Sequence, residues 1–214
     1  FGMAWWMSTR RLTPLIHLEG IEYLEKALSQ KRGALLLAAH FTTVEMAGRI
    51  LSMQTPYNAV YRQHKNVVFD WIMCKAREKH IQKAIGRDNV KDFLRSFKQN
   101  FPVFYVPDQD YGARHSVFVP FFGTPGATIT ATARIAKIGK TQVLPYFVYR
   151  RDDGKGYFAK IYPPLSDFPT DEGEADAFRI NQIIEKAILK HPDQYLWQHR
   201  RFKTRPQGEP SFYD

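Results

Sequence analysis

The chain has 214 residues, 44% of them hydrophobic and 14% aromatic, with 13 glycines and 13 prolines; this suffices for one buried core and excludes disorder, collagen-like repeats and low-complexity sequence. Lys and Arg number 31 against 21 Asp and Glu, so the formal charge is 31 − 21 = +10, and anions such as nucleic acid, anionic lipid or acidic protein are attracted at long range. The single cysteine, Cys74, excludes an intrachain disulfide and a Cys-based zinc site, and fits a reducing compartment.

The sequence opens on Phe1-Gly2-Met3-Ala4-Trp5-Trp6-Met7, with Arg10 and Arg11 behind it. Such a stretch suits a membrane interface or, equally, a buried core. No run approaches the roughly 20 apolar residues of a spanning helix. Short apolar runs at residues 34–39, Asn58–Tyr61, 102–106, 142–149 and 157–162 read as strands. Between them, Asn89 and Asp92 offer caps for a helix whose Val90, Phe93, Leu94 and Phe97 share one face. Residues 174–190 repeat that pattern with Ala177, Ile180, Ile184, Ala187 and Ile188 and stop before Pro192. Turn signals stand at 123–126 and 152–156, and no Pro/Gly/Ser-rich linker divides the chain. Strands alternating with helices predict an α/β fold, a central mixed sheet flanked by helices, in a single domain over residues 1–214.

The segment Leu35-Leu36-Leu37-Ala38-Ala39-His40-Phe41-Thr42-Thr43-Val44-Glu45 is an apolar strand that ends in a histidine and runs into a helix start. Ligands of open α/β sheets bind beyond the carboxyl ends of the strands, and an imidazole there can act as a general base near neutral pH. Glu45 is expected to orient it, since a carboxylate on one ring nitrogen fixes the tautomer and stabilises the imidazolium. The competing reading is a capping box, Thr42-x-x-Glu45, which the spacing favours equally. No Gly-x-Ser-x-Gly elbow supplies a nucleophile, so direct attack by an acceptor hydroxyl is the simpler scheme. No His-Glu-x-x-His or similar spacing is present, so no metal is assigned. Gly139-Lys140-Thr141 has the ending of a phosphate-binding loop, but Arg134 stands where that motif needs its first glycine.

His40-x4-Glu45 resembles the His-x4-Asp/Glu motif of glycerolipid acyltransferases and of the bacterial lipid A secondary acyltransferases. Tyr105-Val106-Pro107-Asp108-Gln109-Asp110-Tyr111-Gly112 and His115-Ser116-Val117-Phe118-Val119-Pro120-Phe121-Phe122-Gly123 resemble the second signature segment of the lipid A enzymes. Gln194-Tyr195-Leu196-Trp197 and His199-Arg200-Arg201-Phe202-Lys203-Thr204-Arg205-Pro206 are similar to that family's ending. The lauroyl-transferring branch is the nearer likeness, and it runs from about Phe1 to the end.

The resemblance implies a glycerolipid-acyltransferase-like fold, acyl carrier protein as thioester donor with no further cofactor, and Kdo2-lipid IVA as acceptor. It implies His40 as base with Glu45 as partner, and Arg62, Asp108, Gln109 and Asp110 as substrate contacts. The family's Arg-x-x-Asn-Pro-like stretch reads here Tyr61-Arg62-Gln63-His64-Lys65-Asn66-Val67, which keeps the arginine and lacks the proline. For Asp108 and Asp110 the residues themselves leave open sugar binding, holding an arginine, or an Asx turn. Location at the cytoplasmic face of the bacterial inner membrane, through a membrane-anchoring segment preceding these residues, is also implied. Of Arg10, Arg11, Arg150, Arg151, Arg200, Arg201, Lys203 and Arg205, some are expected to meet an anionic membrane surface and the others to form an ordinary solvated surface. Two other readings compete: a phospholipid-directed acyltransferase using the same base, and a nucleic-acid-binding protein using the charged stretch 75–87. No nucleic-acid-binding motif supports the second.

Overall fold

The computed structural model describes residues 1–61, 63–86 and 89–213. A seven-stranded sheet is built from β1 (Ile16–Glu19), β2 (Ala34–Leu37), β3 (Asn58–Tyr61), β4 (Lys83–Gly86), β5 (Pro102–Tyr105), β8 (Gln142–Arg150) and β9 (Tyr157–Ile161), in the order β1-β9-β8-β2-β5-β3-β4. All neighbours are parallel except β8 and β9, which a tight turn joins directly. The remaining two strands, β6 (Ser116–Phe121) and β7 (Thr124–Ile129), form an antiparallel hairpin of their own. Phe122 and Gly123 both take positive φ at its tip, the conformation a two-residue turn needs to match the strand twist.

β2 lies at the centre because its residues are apolar on both faces. Ala34, Leu36 and Ala38 enter one buried cluster, and Leu35, Leu37 and Ala39 enter the other. A strand covered on both sides reads as a continuous apolar run rather than an alternation. On the first face pack α1 (Gly2–Trp6), α3 (Ile21–Ser29), α4 (Val44–Ser52) and α5 (Val67–Glu78), through Trp5, Leu24, Met46, Ile50, Met73 and Ala76. On the second face pack α6 (Val90–Lys98), α7 (Ala131–Gly139) and α8 (Gly173–Ile188), through Phe93, Phe97, Ile135, Ile180, Ile184 and Ile188. A short α2 (Thr9–Leu12) follows α1.

The five strands and two helices read from the sequence are all present, each within one or two residues of its expected ends. Asn89 caps α6, its Oδ1 accepting from the Asp92 amide at 3.2 Å. The additional strands are the ones that bury little. Of β4 only Ile85 is buried, and β1 has no fully buried residue; both stand at sheet edges and carry no apolar run to betray them. β6 and β7 contain Pro120 and Pro125, which argue against a strand unless it lies at an edge, and these two prolines face each other in the hairpin. Gly126, expected as part of a turn, is a β7 residue paired with Val119.

Candidate active site

Because β2 and β5 are adjacent and parallel, the loops that leave their carboxyl ends emerge side by side. The Ala38 amide still donates to the Tyr105 carbonyl at 2.9 Å, continuing the pairing past the last strand residue. The next residues on each side are those that carry chemistry. His40 Nδ1 lies 2.5 Å from Asp108 Oδ1, and the His40 backbone amide donates to Asp108 Oδ2 at 2.9 Å. Tyr195 Oη donates to the same Oδ2 at 2.9 Å. Asp108 is only 3% exposed. Burial opposes its ionisation, but the charge of His40 and the donors around it outweigh burial and hold the carboxyl below its ordinary range.

With its Nδ1 proton given to Asp108, His40 presents the lone pair of Nε2. Gln109 Nε2 sits 3.1 Å from that atom and 3.0 Å from His199 Nε2, so the two amide protons serve the two rings. The rings meet edge to face with centroids 4.7 Å apart. Burial, and then the charge of His40, push the His199 pKa down.

The C-terminal segment is stitched to the His40 loop. Thr42 N donates to the Gln194 carbonyl at 2.8 Å, Leu196 N donates to the His40 carbonyl at 2.9 Å, and Phe41 and Tyr195 form a single bridge. The Gln194 side chain bonds both the amide and the carbonyl of Arg150, at 2.8 and 2.9 Å. These contacts deliver Tyr195 and His199 to the site from the far end of the chain. Neither is among the site residues expected from sequence. The only signal that could have found them is their place in the family-like ending, beside Gln194 and Trp197.

Glu45 does not pair with His40, which corrects the expected dyad. Its carboxylate accepts from Trp5 Nε1 at 2.7 Å and from both Arg77 Nε, at 3.2 Å, and Arg77 Nη2. The reason is its helical position: α4 begins at Val44, so Glu45 points from the first turn toward α1 and α5, while Asp108 already holds the ring. The capping box is not formed either, since Thr43 is the residue at the N-cap and makes no capping bond; Thr43 Oγ1 donates instead to the Val148 carbonyl.

Asp110, expected at the substrate, holds the protein together. Its Oδ1 accepts from Gly112 N and Thr204 Oγ1 at 2.8 Å each, and its Oδ2 from Thr204 N at 2.6 Å. This is the Asx turn, extended into a clasp on the C-terminal segment. Arg62 lies outside the described residues. Among the expected surface cations, Arg201 is only 5% exposed; it donates to the Ala127 carbonyl at 2.8 Å and Thr128 Oγ1 at 2.7 Å, over the Phe121 ring. A side chain at Gly126 would put its Cβ 3.1 Å from the Arg201 guanidinium, so the glycine makes room for it. Arg205 reaches the Pro125 carbonyl at 2.7 Å. Arg10, Arg11, Arg150, Arg151, Arg200 and Lys203 are exposed. In the stretch 75–87, Lys75 pairs with Glu78, Arg77 with Glu45 and Lys83 with Asp92.

Arg201→Ala strands these buried acceptors and loosens the segment carrying Tyr195 and His199. A loss of about 3 kcal/mol is expected, read as a lower urea midpoint with an unchanged slope.

Among the described residues a buried carboxylate holds a histidine at the carboxyl edge of an α/β sheet, an arrangement that suits a general base and its orienting acid. The fold is similar to the crystal structure of a 1-acyl-sn-glycerophosphate acyltransferase from Thermotoga maritima, at TM-score 0.51 and 16% identity, covering 85% of this chain and 75% of that one. Residues 1–204 match the bacterial lipid A biosynthesis acyltransferase family. Relatives from Escherichia coli strain K12 include a lipid A biosynthesis lauroyltransferase, 39% identical over 99% of this chain and 70% of that protein. A palmitoleoyltransferase is 38% identical over 99% of this chain and 69% of its own length, and a myristoyltransferase 30% identical over 93% and 62%. The chain belongs to the bacterial lipid A biosynthesis acyltransferases, and it is an acyltransferase with a glycerolipid-acyltransferase-like fold.

Proposed function

We propose that the protein transfers a fatty acyl chain, lauroyl, from acyl carrier protein to the hydroxyl of a 3-hydroxyacyl chain on Kdo2-lipid IVA, at the cytoplasmic face of the bacterial inner membrane. The observation that carries this is the Asp108–His40 bond in a chain of this family. His40 Nε2 takes the hydroxyl proton as the oxygen attacks the thioester carbonyl. Asp108 stabilises the imidazolium that forms. The tetrahedral intermediate collapses with cleavage of the C–S bond, and the imidazolium returns the proton to the departing sulfur. Ester and free thiol are the products. The thioester supplies the driving force, so no further cofactor enters the scheme.

In this reading Glu45 positions α1 and α5 on α4, and Gln109 and His199 position the base. The amides of His40, Phe41, Thr42 and Val44 already bond Asp108, Ala39, Gln194 and Phe41, so the developing oxyanion is met by other donors, of which Arg62 is the sequence candidate. A cavity of about 940 Å³ opens beside the His40 loop, lined by Thr42, Thr43 and Met46 and by Arg150 and Arg151 together with Glu45, Asp152 and Asp193. Those guanidinium groups suit the phosphates and carboxylates of the acceptor. The net charge of +10 favours both an acidic carrier protein and an anionic membrane.

The test offers labelled lauroyl-acyl carrier protein with Kdo2-lipid IVA or with a lysophospholipid. Transfer to Kdo2-lipid IVA, at least about 100-fold preferred in kcat/KM, is expected. Transfer to the lysophospholipid alone would reassign the acceptor to phospholipids.

A further inference from the structure

Among the described residues no helix is long and apolar enough to cross a membrane, yet α5 leaves a group of large apolar side chains uncovered side by side. Val67, Val68, Trp71 and Ile72 are 76%, 70%, 62% and 37% exposed, and all four lie in the first two turns of the helix. The opposite face is well occupied. Met73 and Ala76 are buried in the core, Asp70 accepts from Tyr61 Oη, and Arg77 holds Glu45. The outward apolar face is therefore a property of a firmly seated helix. It continues onto α1 and the residue before it, where Trp6 and Phe1 are 63% and 71% exposed; Trp5, between them in sequence, has its ring 6.4 Å from that of Phe69 on α5. A soluble surface scatters single apolar residues, whereas a contiguous group marks a docking site.

We infer that the outward face of α5, extended by Trp6 and Phe1, is the surface by which the protein lies on an anionic phospholipid bilayer. Three features select a bilayer over another protein. Two exposed indoles stand in the patch, and Trp is the side chain that favours the headgroup level. The flanks are basic: Lys65 precedes the helix, and Lys75 and Lys79 continue its exposed side beyond the apolar turns, against Glu78 alone. An apolar face edged with lysines is the pattern of an interfacial helix. Third, α5 leaves the carboxyl end of β3, and β3 runs parallel to β5, so the patch stands at the sheet edge from which His40 and Asp108 emerge. A protein seated on this face would receive a membrane-embedded acceptor without lifting it far from the lipid. The inference rests on the reading of the acceptor as a membrane lipid only for that last step; binding itself does not depend on it.

The experiment compares the protein with its V68E/W71E variant by sedimentation with vesicles of phosphatidylethanolamine and phosphatidylglycerol. Both positions are exposed, so folding is retained, and circular dichroism checks this. Removing each apolar contact and adding a carboxylate is expected to weaken vesicle binding about tenfold per position, while Leu189→Glu, at a site 67% exposed on the other side of the sheet, leaves it unchanged. Acyl transfer by the double variant should fall with the acceptor in vesicles and persist with the acceptor in detergent micelles. Unchanged vesicle binding would overturn the inference; if a dimer then became a monomer, the face would belong to a second copy. Vesicle binding lost in the variant, with no transfer to a lipid A precursor by the parent in either format, would leave the docking face standing and sink the acceptor assignment instead.

Discussion

Replacing His40 by Ala is expected to lower kcat for acyl transfer about 10⁴-fold, the upper range for removal of a general base, with KM for either substrate little changed. The histidine side chain is 21% exposed and lies on a loop, so its loss leaves no buried cavity and the thermal midpoint should move by a few degrees at most. The assay follows radiolabelled acyl chain from donor to acceptor at saturating donor. A loss smaller than about tenfold in a folded variant would show that another group takes the hydroxyl proton, and His199, its ring centroid 4.7 Å away, would be the first to examine.

Asp108→Asn should cost about 10³-fold in kcat, through the tautomer of His40 rather than through shape. The His40 backbone N–H donates to Oδ2 and cannot turn away. In the variant the amide oxygen must therefore stay on that side, and the amide NH2 faces Nδ1. An imidazole that accepts at Nδ1 carries its proton on Nε2, the atom that should receive the substrate proton. Nuclear magnetic resonance of the ring nitrogens reads this change directly. Activity at the parent level with the proton still on Nδ1 would refute the assignment of Asp108 as the orienting carboxylate.

The same carboxylate should mark the stability profile in acid. Its folded pKa lies below the ordinary 3.8, so its contribution is complete above that value and is lost as pH falls through the folded pKa. The Asn variant lacks that component, so its unfolding free energy should vary less with pH below about 4.

How far the sequence reaches is clearest around β2. The uninterrupted apolar run at 34–39 reads as a strand, and a histidine at its carboxyl end stands where open sheets bind ligands; the structure buries that strand on both faces. The 3.6-residue periodicity of α6 and α8 was equally legible, because each buries one stripe against the same sheet. Edge strands β1 and β4 were not, since a strand with one or two covered side chains has no pattern to read. The fold class and the family followed from these elements and from the motifs around His40 and Asp108.

What the sequence could not decide was which carboxylate meets His40. Glu45 is five positions away in the chain and helical geometry turns it toward Trp5 and Arg77. Asp108 is 68 positions away, and it arrives only because β5 pairs in register beside β2. Tyr195 and His199 likewise depend on the hydrogen bonds that lay the C-terminal segment on the His40 loop. The fates of Asp110 and Arg201, a clasp and a buried strut rather than substrate or membrane contacts, turn on partners 94 and 74 positions distant. Local pattern determines which backbone forms where, because propensity and periodicity act over a few residues. Which polar groups meet is decided by strand order and loop docking, since hydrogen bonds form between neighbours in space.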